Sequence, residues 1–418
     1  MARDTEWRKK ELSFEEVAAK FPDFPKLLIL KIDVQRRGVI YTEAAQGKIN
    51  PDIHQVQSDG QQGFRIEQRY FPEGLILKDG SYLIVSYDYD FENQKRDPYV
   101  VDVIDDKIWI TDEGKPLAEV TYFTKPDYYN LKASNGEPFT KYISSRPQRI
   151  DVILNQYCHF WDRQGGGCKY CPLTPNYLKQ KLQEERNNIK YVVEAVSEAL
   201  KQEGRFSGFM FTGGSILSGK NVLDDELEAY IELIKAIGEL FEDGKKFPSQ
   251  LISSAFDEKQ LERLVTETKL MHYTTDIEVL DREKFAWICE GKNHYIGYDE
   301  WKRRLIASID YFGKGNVSSG MVLGVELATP NGFNSEEEAY KKIVEEAETI
   351  VEHGISLAAN VWRPAPGSIF QNQFNPSLEY FVKVYNAFDK LHHKYGVGRY
   401  TDDYRRCGMH PGLDLLRV

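Results

Sequence analysis

Three cysteines within fourteen residues are the part of this sequence that most clearly carries chemistry. Cys158, Cys168 and Cys171 are spaced C-x9-C-x2-C, and three glycines, at 165–167, precede the middle cysteine. Glycines let a backbone wrap closely around an ion or a cluster. A [4Fe–4S] cluster held by three thiolates, rather than four, leaves one iron open to a ligand that is not protein. The cysteines therefore indicate a metal site, and their number favours a reactive iron–sulfur cluster.

A structural zinc site is the alternative explanation of the same cysteines. Such a site is normally closed by four ligands, and His159, the residue after Cys158, is a candidate for the fourth. A Cys-x2-Cys pair occurs in zinc and iron–sulfur proteins alike, so the spacing by itself leaves both explanations open. Cys289 follows an apolar stretch and is expected to be a small buried residue.

The composition places the site in a sizeable globular protein. The chain has 418 residues, enough for a barrel of about 250 residues and a smaller domain. Its hydrophobic content is 41%, and no apolar run approaches the roughly 18 residues that a membrane span requires. The charged amino-terminal sequence lacks the apolar core of a secretory signal, which predicts a cytoplasmic protein with reduced thiols and an oxygen-sensitive site. The net charge of -11 argues against a large nucleic-acid-binding surface.

From residue 149 onward, short apolar runs alternate with long amphipathic stretches, which favours a parallel β-sheet with crossover helices. We predict six strands there, at residues 150–154, 208–211, 251–255, 271–279, 317–325 and 355–361. Helices are predicted between and after them, at residues 188–202, 222–240, 258–268, 298–311, 335–352 and 378–393. Six such repeats predict an α/β fold with a partial (β/α)6 TIM-like barrel. The cysteine loop would follow the first strand, at the end of the barrel where active sites lie.

The chain before this barrel has a different pattern. After one helical stretch at residues 13–21, short strands separated by turn signals are predicted at residues 74–77, 81–89, 100–104 and 107–111. They indicate a β-rich or α+β domain over residues 1–148, whose expected role is a lid or a surface for docking a substrate or partner. The barrel is expected to span residues 149–396, followed by a C-terminal tail at 397–418.

Residues 149–396 resemble the radical S-adenosylmethionine (radical SAM) superfamily, and the cysteine loop is the first of four features that carry the resemblance. The family's usual loop is C-x3-C-x-aromatic-C. Residues 168–171, CKYC, match its last part with Tyr170 as the aromatic residue, whereas the first gap is nine residues instead of three. The resemblance implies that the three cysteines hold a [4Fe–4S] cluster and that Tyr170 contributes to binding S-adenosyl-L-methionine.

Two motifs that contain glycine are the second and third features. Gly213 and Gly214 follow the second strand in the sequence TGGS, which looks like the family's Gly-Gly-Glu stretch with serine in place of glutamate. The resemblance implies that their backbone holds the amino group of the methionine moiety. Residues 320–326, GMVLGVE, fit the family's G-x-I-x-G-x-x-E pattern, apart from a valine at the isoleucine position. Gly320 and Gly324 are thereby expected to lie against the adenine.

The fourth feature is the stretch 277–281 on the fourth predicted strand. Glu278 is expected to contact the ribose hydroxyls, because a carboxylate at a strand tip accepts two hydrogen bonds. Ser253, at the end of the third strand, is a candidate for binding the ribose or the methionine carboxylate. Arg303 is a candidate for the same carboxylate, which a guanidinium matches in fork geometry. Asn360, on the sixth strand, is expected near the adenine or the substrate.

The resemblance implies an enzyme that reductively cleaves S-adenosyl-L-methionine at the cluster. The resulting 5'-deoxyadenosyl radical would abstract hydrogen from an unidentified substrate, either a small molecule or a macromolecule. The electron would come from a donor such as flavodoxin or ferredoxin. Cys407, close in sequence to His410, is a candidate hydrogen donor at the barrel mouth. Two alternatives stay open: an iron–sulfur or zinc scaffold without turnover, and a radical enzyme that modifies tRNA.

Overall fold

Two β-sheets, each packed with helices, organise the chain. A computed structural model describes residues 11–56, 71–85, 97–146, 148–180, 186–242, 245–398, 408–412 and 415. Within these residues, no helix combines the length and the apolar character that are needed to cross a lipid bilayer.

The first sheet is built from the N-terminal third of the chain. Three helices accompany it: α1 (Phe14–Lys20), α2 (Lys26–Arg37) and α3 (Glu43–Gly47). Its strands are β1 (Val39–Tyr41), β2 (Gly74–Leu77), β3 (Tyr82–Ile84), β4 (Tyr99–Ile104), β5 (Lys107–Asp112) and β6 (Lys115–Tyr122). Their order across the sheet is β1-β4-β5-β6-β2-β3. Asp105 and Asp106 take positive φ between β4 and β5, as a tight hairpin turn requires.

The second sheet is mostly parallel. Its strands are β7 (Ser144–Ser145), β8 (Arg149–Ile153), β9 (Gly208–Thr212), β10 (Ser249–Ser253), β11 (His272–Thr275), β12 (Val317–Leu323) and β13 (Ser356–Val361). They lie side by side in chain order, with β8 to β13 parallel and β7 antiparallel at one edge. A strand coincides with each of the six predicted positions. The carboxyl ends of the six parallel strands therefore share one edge.

Helices connect and follow these strands. They are α4 (Leu173–Gln180), α5 (Ile189–Ala199), α6 (Asp224–Gly238), α7 (Glu258–Glu267), α8 (Arg282–Ile288), α9 (Glu290–Tyr295), α10 (Tyr298–Ala307), α11 (Ile309–Phe312), α12 (Glu336–Val351) and α13 (Leu378–Tyr395). The alternation of strand and helix gives an α/β fold with an open parallel sheet, as in a partial barrel.

Alternate residues of the parallel strands meet different surroundings. Tyr273 of β11 is fully buried and stacks on Phe312 of α11. On the neighbouring positions, the Gln250 amide donates to the Thr274 hydroxyl (2.7 Å), which is 2.7 Å from the Ser318 hydroxyl. On one face of the sheet, aromatic rings thus pack against helices, whereas the other face carries a row of polar side chains that are hydrogen-bonded to one another.

Helix α2 has no counterpart in the sequence prediction. Its charged residues Asp33, Arg36 and Arg37 are buried, so its sequence lacks the polar face by which an amphipathic helix is recognised. Arg36 pairs with Asp33 (2.7 Å) and Glu11 (2.8 Å). It also donates to the Pro376 carbonyl oxygen (3.2 Å). This network joins the first described residues to the segment just before α13.

Candidate metal centre

The three cysteines lie in one loop that begins where β8 ends. Cys168 is buried, and Cys158 and Cys171 are partly buried. The Cys158 N–H donates to the hydroxyl of Thr174 in α4 (3.1 Å). The Cys171 N–H donates to the Cys168 carbonyl oxygen in a tight turn (3.0 Å). Because the loop follows the carboxyl end of a parallel strand, it lies at the edge where active sites of such sheets are found.

Close backbone approaches explain the glycines of this loop. A Cβ atom on Gly166 would lie 2.0 Å from the Phe160 carbonyl oxygen, and one on Gly167 would lie 2.0 Å from the Trp161 ring. A side chain at either position would force the loop apart. The glycines therefore let the chain fold back on its own short 3-10 helix, His159–Asp162.

Gly213 and Gly214 pack directly on the cysteine loop. They follow β9, and a Cβ atom on Gly214 would lie 2.1 Å from the Tyr157 carbonyl oxygen. The Gly214 N–H donates to the Asn155 carbonyl oxygen (3.0 Å), and the Asn155 amide donates to the Gly214 carbonyl oxygen (3.0 Å). The structure thus places the predicted glycine pair beside Cys158. A contact between their backbone and a methionine amino group stays a prediction.

The three thiols are close enough to influence one another's ionisation. Burial raises the pKa of Cys158 to about 11, and the charge of Cys168 contributes to the rise. Burial also raises the pKa of Cys171, with further contributions from Cys168 and Cys158. A bound cation would stabilise all three thiolates, which otherwise disfavour one another. Within the described residues, no three His, Cys, Asp or Glu side chains converge on a single metal ion; the ligands of a cluster bind separate irons and need not converge in this way.

A fourth thiol lies beside this set. Cys289 is fully buried at the joint between α8 and α9, as expected from its apolar surroundings. Its nearness to Cys168 is the largest influence that lowers the pKa of the Cys168 thiol. Tyr170 also lowers the pKa of Cys168, by less than Cys289 does. No spacing in the sequence links Cys289 to the loop, so only the tertiary structure reveals this neighbour.

Lys292, in α9, is another site residue that sequence reasoning missed. Its ammonium group contacts the Glu278 carboxylate (2.7 Å) and the Asp276 carbonyl oxygen (2.8 Å). Burial alone would lower the pKa of Lys292, but Glu278 and Cys168 raise it above its ordinary value, so the group stays charged. Burial, followed by the charge of Glu278, raises the pKa of Asp276 to about 6. The predicted ribose partner Glu278 therefore lies near Cys168, with Lys292 on one of its oxygens.

A buried carboxylate from α6 links the loops that follow β9 and β10. Glu226 accepts hydrogen bonds from the N–H groups of Ile216 and Ser254, both at 2.9 Å. The Ser254 hydroxyl lies 3.1 Å from Glu226 and 2.8 Å from the hydroxyl of Ser215, the residue that replaces glutamate in the Gly-Gly-Glu comparison. Burial raises the pKa of Glu226 to about 7. The Ser253 hydroxyl instead donates to the Ser254 carbonyl oxygen (3.0 Å), and its contact with a cofactor stays a prediction.

The two glycines of the second motif have different surroundings. The Gly320 N–H donates to the Asp276 carboxylate (2.7 Å), and the Gly320 carbonyl oxygen accepts from the Glu278 N–H (3.1 Å). Gly320 therefore lies against the site. Gly324 has φ of 103°, and a Cβ atom there would lie 3.0 Å from the ring of Phe381 in α13. Gly324 is thus held in a turn against a helix, and its contact with an adenine stays a prediction.

Asn360 and Arg303, two further predicted site residues, also differ in their surroundings. Asn360 pairs with Val322 near the carboxyl end of β13, and no donor within the described residues hydrogen-bonds its buried side-chain oxygen. Because an unmade hydrogen bond at a buried acceptor is costly, Asn360 is suited to receive a donor from a ligand. Arg303 lies on the exposed surface of α10 in ion pairs with Glu258 and Glu300. These two carboxylates pair with its guanidinium in the structure, and its contact with a cofactor carboxylate stays a prediction.

Cys407, the predicted hydrogen donor, lies outside the described residues. The residues just after it contact the first sheet and approach the site. The Gly408 carbonyl oxygen accepts from the Ile84 N–H (3.2 Å). His410 is near enough to Asp276 for its charge to offset part of the rise in the pKa of that carboxyl. A role for Cys407 at the site therefore stays a prediction.

Comparisons with known proteins identify similar solved structures only. No known family matches the chain, and no curated protein matches it. The chain is similar to HydG, a maturase of the [FeFe]-hydrogenase, at 15% identity and a TM-score of 0.44 over 60% of this chain and 50% of that one. It is also similar to a radical SAM methyltransferase from Sphaerobacter thermophilus, at 13% identity and a TM-score of 0.40 over 65% of this chain and 72% of that one. The cobalamin-dependent S-adenosylmethionine radical enzyme OxsB is a third, at 10% identity and a TM-score of 0.34 over 78% of this chain and 49% of that one.

The chain thus spans about half the length of HydG and of OxsB. Because the TM-scores are 0.44 or lower, a functional conclusion depends on the chain's own residues.

Proposed function

We propose that this protein is a radical SAM enzyme. In this proposal Cys158, Cys168 and Cys171 hold a [4Fe–4S] cluster whose fourth iron binds S-adenosyl-L-methionine, and the reaction begins with hydrogen abstraction from a substrate that is not identified. The observation that carries the proposal is a set of three interacting thiols in one loop, at the carboxyl end of a parallel strand. Three thiolates are the donor set that leaves one iron of a cluster open.

The chain's own residues bind, orient and shield the reacting groups. When bound, the cluster and S-adenosyl-L-methionine supply the one-electron chemistry that produces the 5'-deoxyadenosyl radical. Lys292 holds the Glu278 carboxylate through one oxygen, which orients the carboxylate for a ribose hydroxyl. Asn360 offers its buried side-chain oxygen to a donor of the adenosine or the substrate. Gly320 keeps the adjoining strand free of a side chain that would clash with Asp276.

Two further parts of the proposal concern partners. The enzyme requires an external one-electron donor, for which flavodoxin or ferredoxin is suited. A cytoplasmic location would keep its thiols reduced. The acidic chain, with a net charge of -11, favours a substrate other than nucleic acid.

Anaerobic reconstitution with iron and sulfide tests the proposal. We expect about four irons per chain, an electron paramagnetic resonance (EPR) signal after reduction with dithionite, and a change in that signal when S-adenosyl-L-methionine is added. We also expect 5'-deoxyadenosine, detected by mass spectrometry. Cys171→Ala should lose the signal and the product together.

The spectral change reports cofactor binding even when turnover needs the missing substrate. A protein that takes up zinc and no iron would overturn the proposal. A fully loaded cluster whose EPR signal does not change when S-adenosyl-L-methionine is added, and which yields no 5'-deoxyadenosine, would favour an iron–sulfur scaffold without turnover. Strong binding of RNA that weakens steeply with salt would instead favour the tRNA-modifying alternative.

A further inference from the structure

A cavity of about 480 Å³ lies in the N-terminal part of the molecule, between α1, α2 and the turn that joins β5 to β6. This volume is in the range of small-molecule binding sites. Among the described residues that line it, five carry a carboxylate and two carry a guanidinium, so negative charge is in excess. The carboxylates are those of Glu11, Asp33, Asp97, Asp112 and Glu113. No described residue of the cysteine loop is among the lining residues.

The two arginines are already paired with carboxylates, which makes the cavity unsuited to an anion. The Arg37 guanidinium donates to both oxygens of Asp112 (2.7 and 3.0 Å), in the bidentate geometry that is strong for such pairs. Arg36 pairs with Asp33 (2.7 Å) and with Glu11 (2.8 Å). An anion would have to displace one of these carboxylates, whereas a cation would meet the negative charge that remains.

Glu11 has one oxygen that these pairs do not satisfy. Its Oε1 atom pairs with Arg36 and accepts from the Leu378 N–H (2.7 Å). Its Oε2 atom is buried and has no hydrogen-bond donor within the described residues, and the side chain is only 5% exposed. An unmade hydrogen bond at a buried acceptor is costly, and burial raises the pKa of Glu11 although Arg36 lowers it in part. Because Glu11 lines the cavity, a cationic donor bound there would supply the hydrogen bond and stabilise the carboxylate.

The negative charge extends from this buried end to the solvent. The Asp97 side chain is 43% exposed and Glu113 is exposed, so an entering ligand would meet them first. Leu12 and Phe14 also line the cavity and offer apolar surface to methylene groups. Within the described residues, no three His, Cys, Asp or Glu side chains converge on a metal ion. The arrangement therefore suits an extended organic cation better than a single metal ion.

We propose that this cavity binds a small aliphatic polyamine, with one ammonium group at Glu11 and another at the exposed carboxylates. The inference goes beyond the function proposed above and does not depend on it. Lysine and arginine side chains offer similar cationic chemistry, and Arg8, Lys9 and Lys10 directly precede Glu11 in the sequence. The experiment must therefore separate a free amine from the chain's own cations.

Isothermal titration calorimetry of the full-length protein with spermidine, at low ionic strength, tests the inference. We expect a single saturable site for spermidine and no binding of hexanediol, an uncharged aliphatic chain. Glu11→Gln should weaken spermidine binding by about tenfold or more, because a charge-assisted hydrogen bond is lost. Asp97→Asn, at the exposed end, should weaken it roughly two- to fivefold.

Two variants make this titration interpretable. Asp97→Asn leaves the ion pairs of Arg36 in place, so it tests the site even if Glu11→Gln folds poorly. Glu15→Gln is the matched control, because it removes the same charge from an exposed carboxylate of α1 that does not line the cavity. Its affinity for spermidine should equal that of the wild type.

Three results would overturn the inference. The first is the absence of saturable binding at millimolar spermidine. The second is wild-type affinity in either Glu11→Gln or Asp97→Asn, which would place the amine elsewhere on the acidic surface. The third is spermidine binding at least about tenfold tighter when Arg8, Lys9 and Lys10 are all replaced by alanine, which would mean that the chain's own cations compete for the cavity. The titration needs no cluster, so its failure would leave the proposed function standing, and a failure of cluster assembly would leave this inference standing.

Discussion

The loop after β9 and the turn after β12 each combine a glycine with a buried glutamate, but the two regions pack against different parts of the molecule. In each, a glycine follows a strand and a buried carboxylate binds backbone N–H groups. After β9, Gly214 packs on the cysteine loop and the carboxylate comes from Glu226 of α6. After β12, Gly324 packs against α13, and Glu326 binds the Gly324 N–H (2.9 Å) and the Tyr380 hydroxyl.

The electrostatics of the two carboxylates are almost the same. Burial raises the pKa of Glu226 to about 7 and that of Glu326 to about 7. Their neighbours differ: the charge of Glu226 contributes to the raised pKa of Cys158, whereas Glu326 binds a residue of its own turn and Tyr380 of α13. A glycine and a buried acid after a strand therefore indicate tight packing; what they pack against decides whether they belong to a site.

The largest expected effect is that of Gly214→Ala. The added Cβ atom would lie 2.1 Å from the Tyr157 carbonyl oxygen, so the loop that carries Cys158 must move. We expect iron incorporation to fall to about a tenth of the wild-type value or less, since a close-packed site has no room for this shift. Iron per chain after anaerobic reconstitution measures it. Wild-type iron content in this variant would show that the glycine pair does not support the cluster.

Glu326→Gln tests the other carboxylate through pH. The pKa of Glu326 is raised from 4.5 to about 7, so the folded state holds the proton more tightly than the unfolded chain. The stability that results is present below pH 4.5 and is lost as the pH rises to about 7. Glu326 should thus lower the free energy of unfolding by up to roughly 3 kcal/mol across this range, and the glutamine variant should lack that decrease.

Urea unfolding at pH 5 and pH 8 measures the difference. The exposed Glu345 of α12 supplies the control, because Glu345→Gln should keep the pH dependence of the wild type. An unchanged pH dependence in Glu326→Gln would mean that Glu326 titrates like an exposed carboxylate.

Gly324→Ala should have a smaller effect, and on stability alone. Its φ of 103° is unfavourable for a residue with a side chain, and the added Cβ atom would lie 3.0 Å from the Phe381 ring. We expect a loss of about 1–2 kcal/mol in the free energy of unfolding, with full iron content. A loss of iron comparable to that of Gly214→Ala would show that this turn supports the site.

The smallest expected effect is that of Arg303→Ala. The Arg303 guanidinium is about half exposed, in surface ion pairs with Glu258 and Glu300. Removing it should change the free energy of unfolding by less than about 1 kcal/mol and leave the binding of S-adenosyl-L-methionine unchanged in a titration followed by EPR. A tenfold weaker binding would show that Arg303 contacts the cofactor despite these ion pairs.

The sequence predicts the parts of the fold that repeat a local pattern. All six parallel strands fall where apolar runs end in turn signals, and the cysteine loop follows the first of them as expected. Helix α2 escapes prediction because Asp33, Arg36 and Arg37 are buried through ion pairs, which hides its polar face. The sequence does not predict β1 and β6 of the first sheet, whereas β2, β3, β4 and β5 coincide with predicted strands.

The site is only partly predictable for a related reason. The cysteine spacing and Gly213 with Gly214 are local signals, and both are brought together in the structure. Cys289 and Lys292 reach the loop through the docking of two short helices, for which no local periodicity exists. Glu226 is likewise missed, because an acidic residue in the first turn of α6 is indistinguishable in the sequence from an ordinary surface charge.

A ribosome makes helix α2 long before it makes the residues against which α2 packs. Arg36 donates to the Pro376 carbonyl oxygen, 340 residues later in the chain, and Glu11 accepts from the Leu378 N–H. At about 5–20 residues per second, the two partners appear roughly 20–70 s apart. During that interval the nascent N-terminal helices expose a surface meant for burial. The speed of translation and the chaperones that hold nascent chains thereby become determinants of how much folded protein a cell obtains.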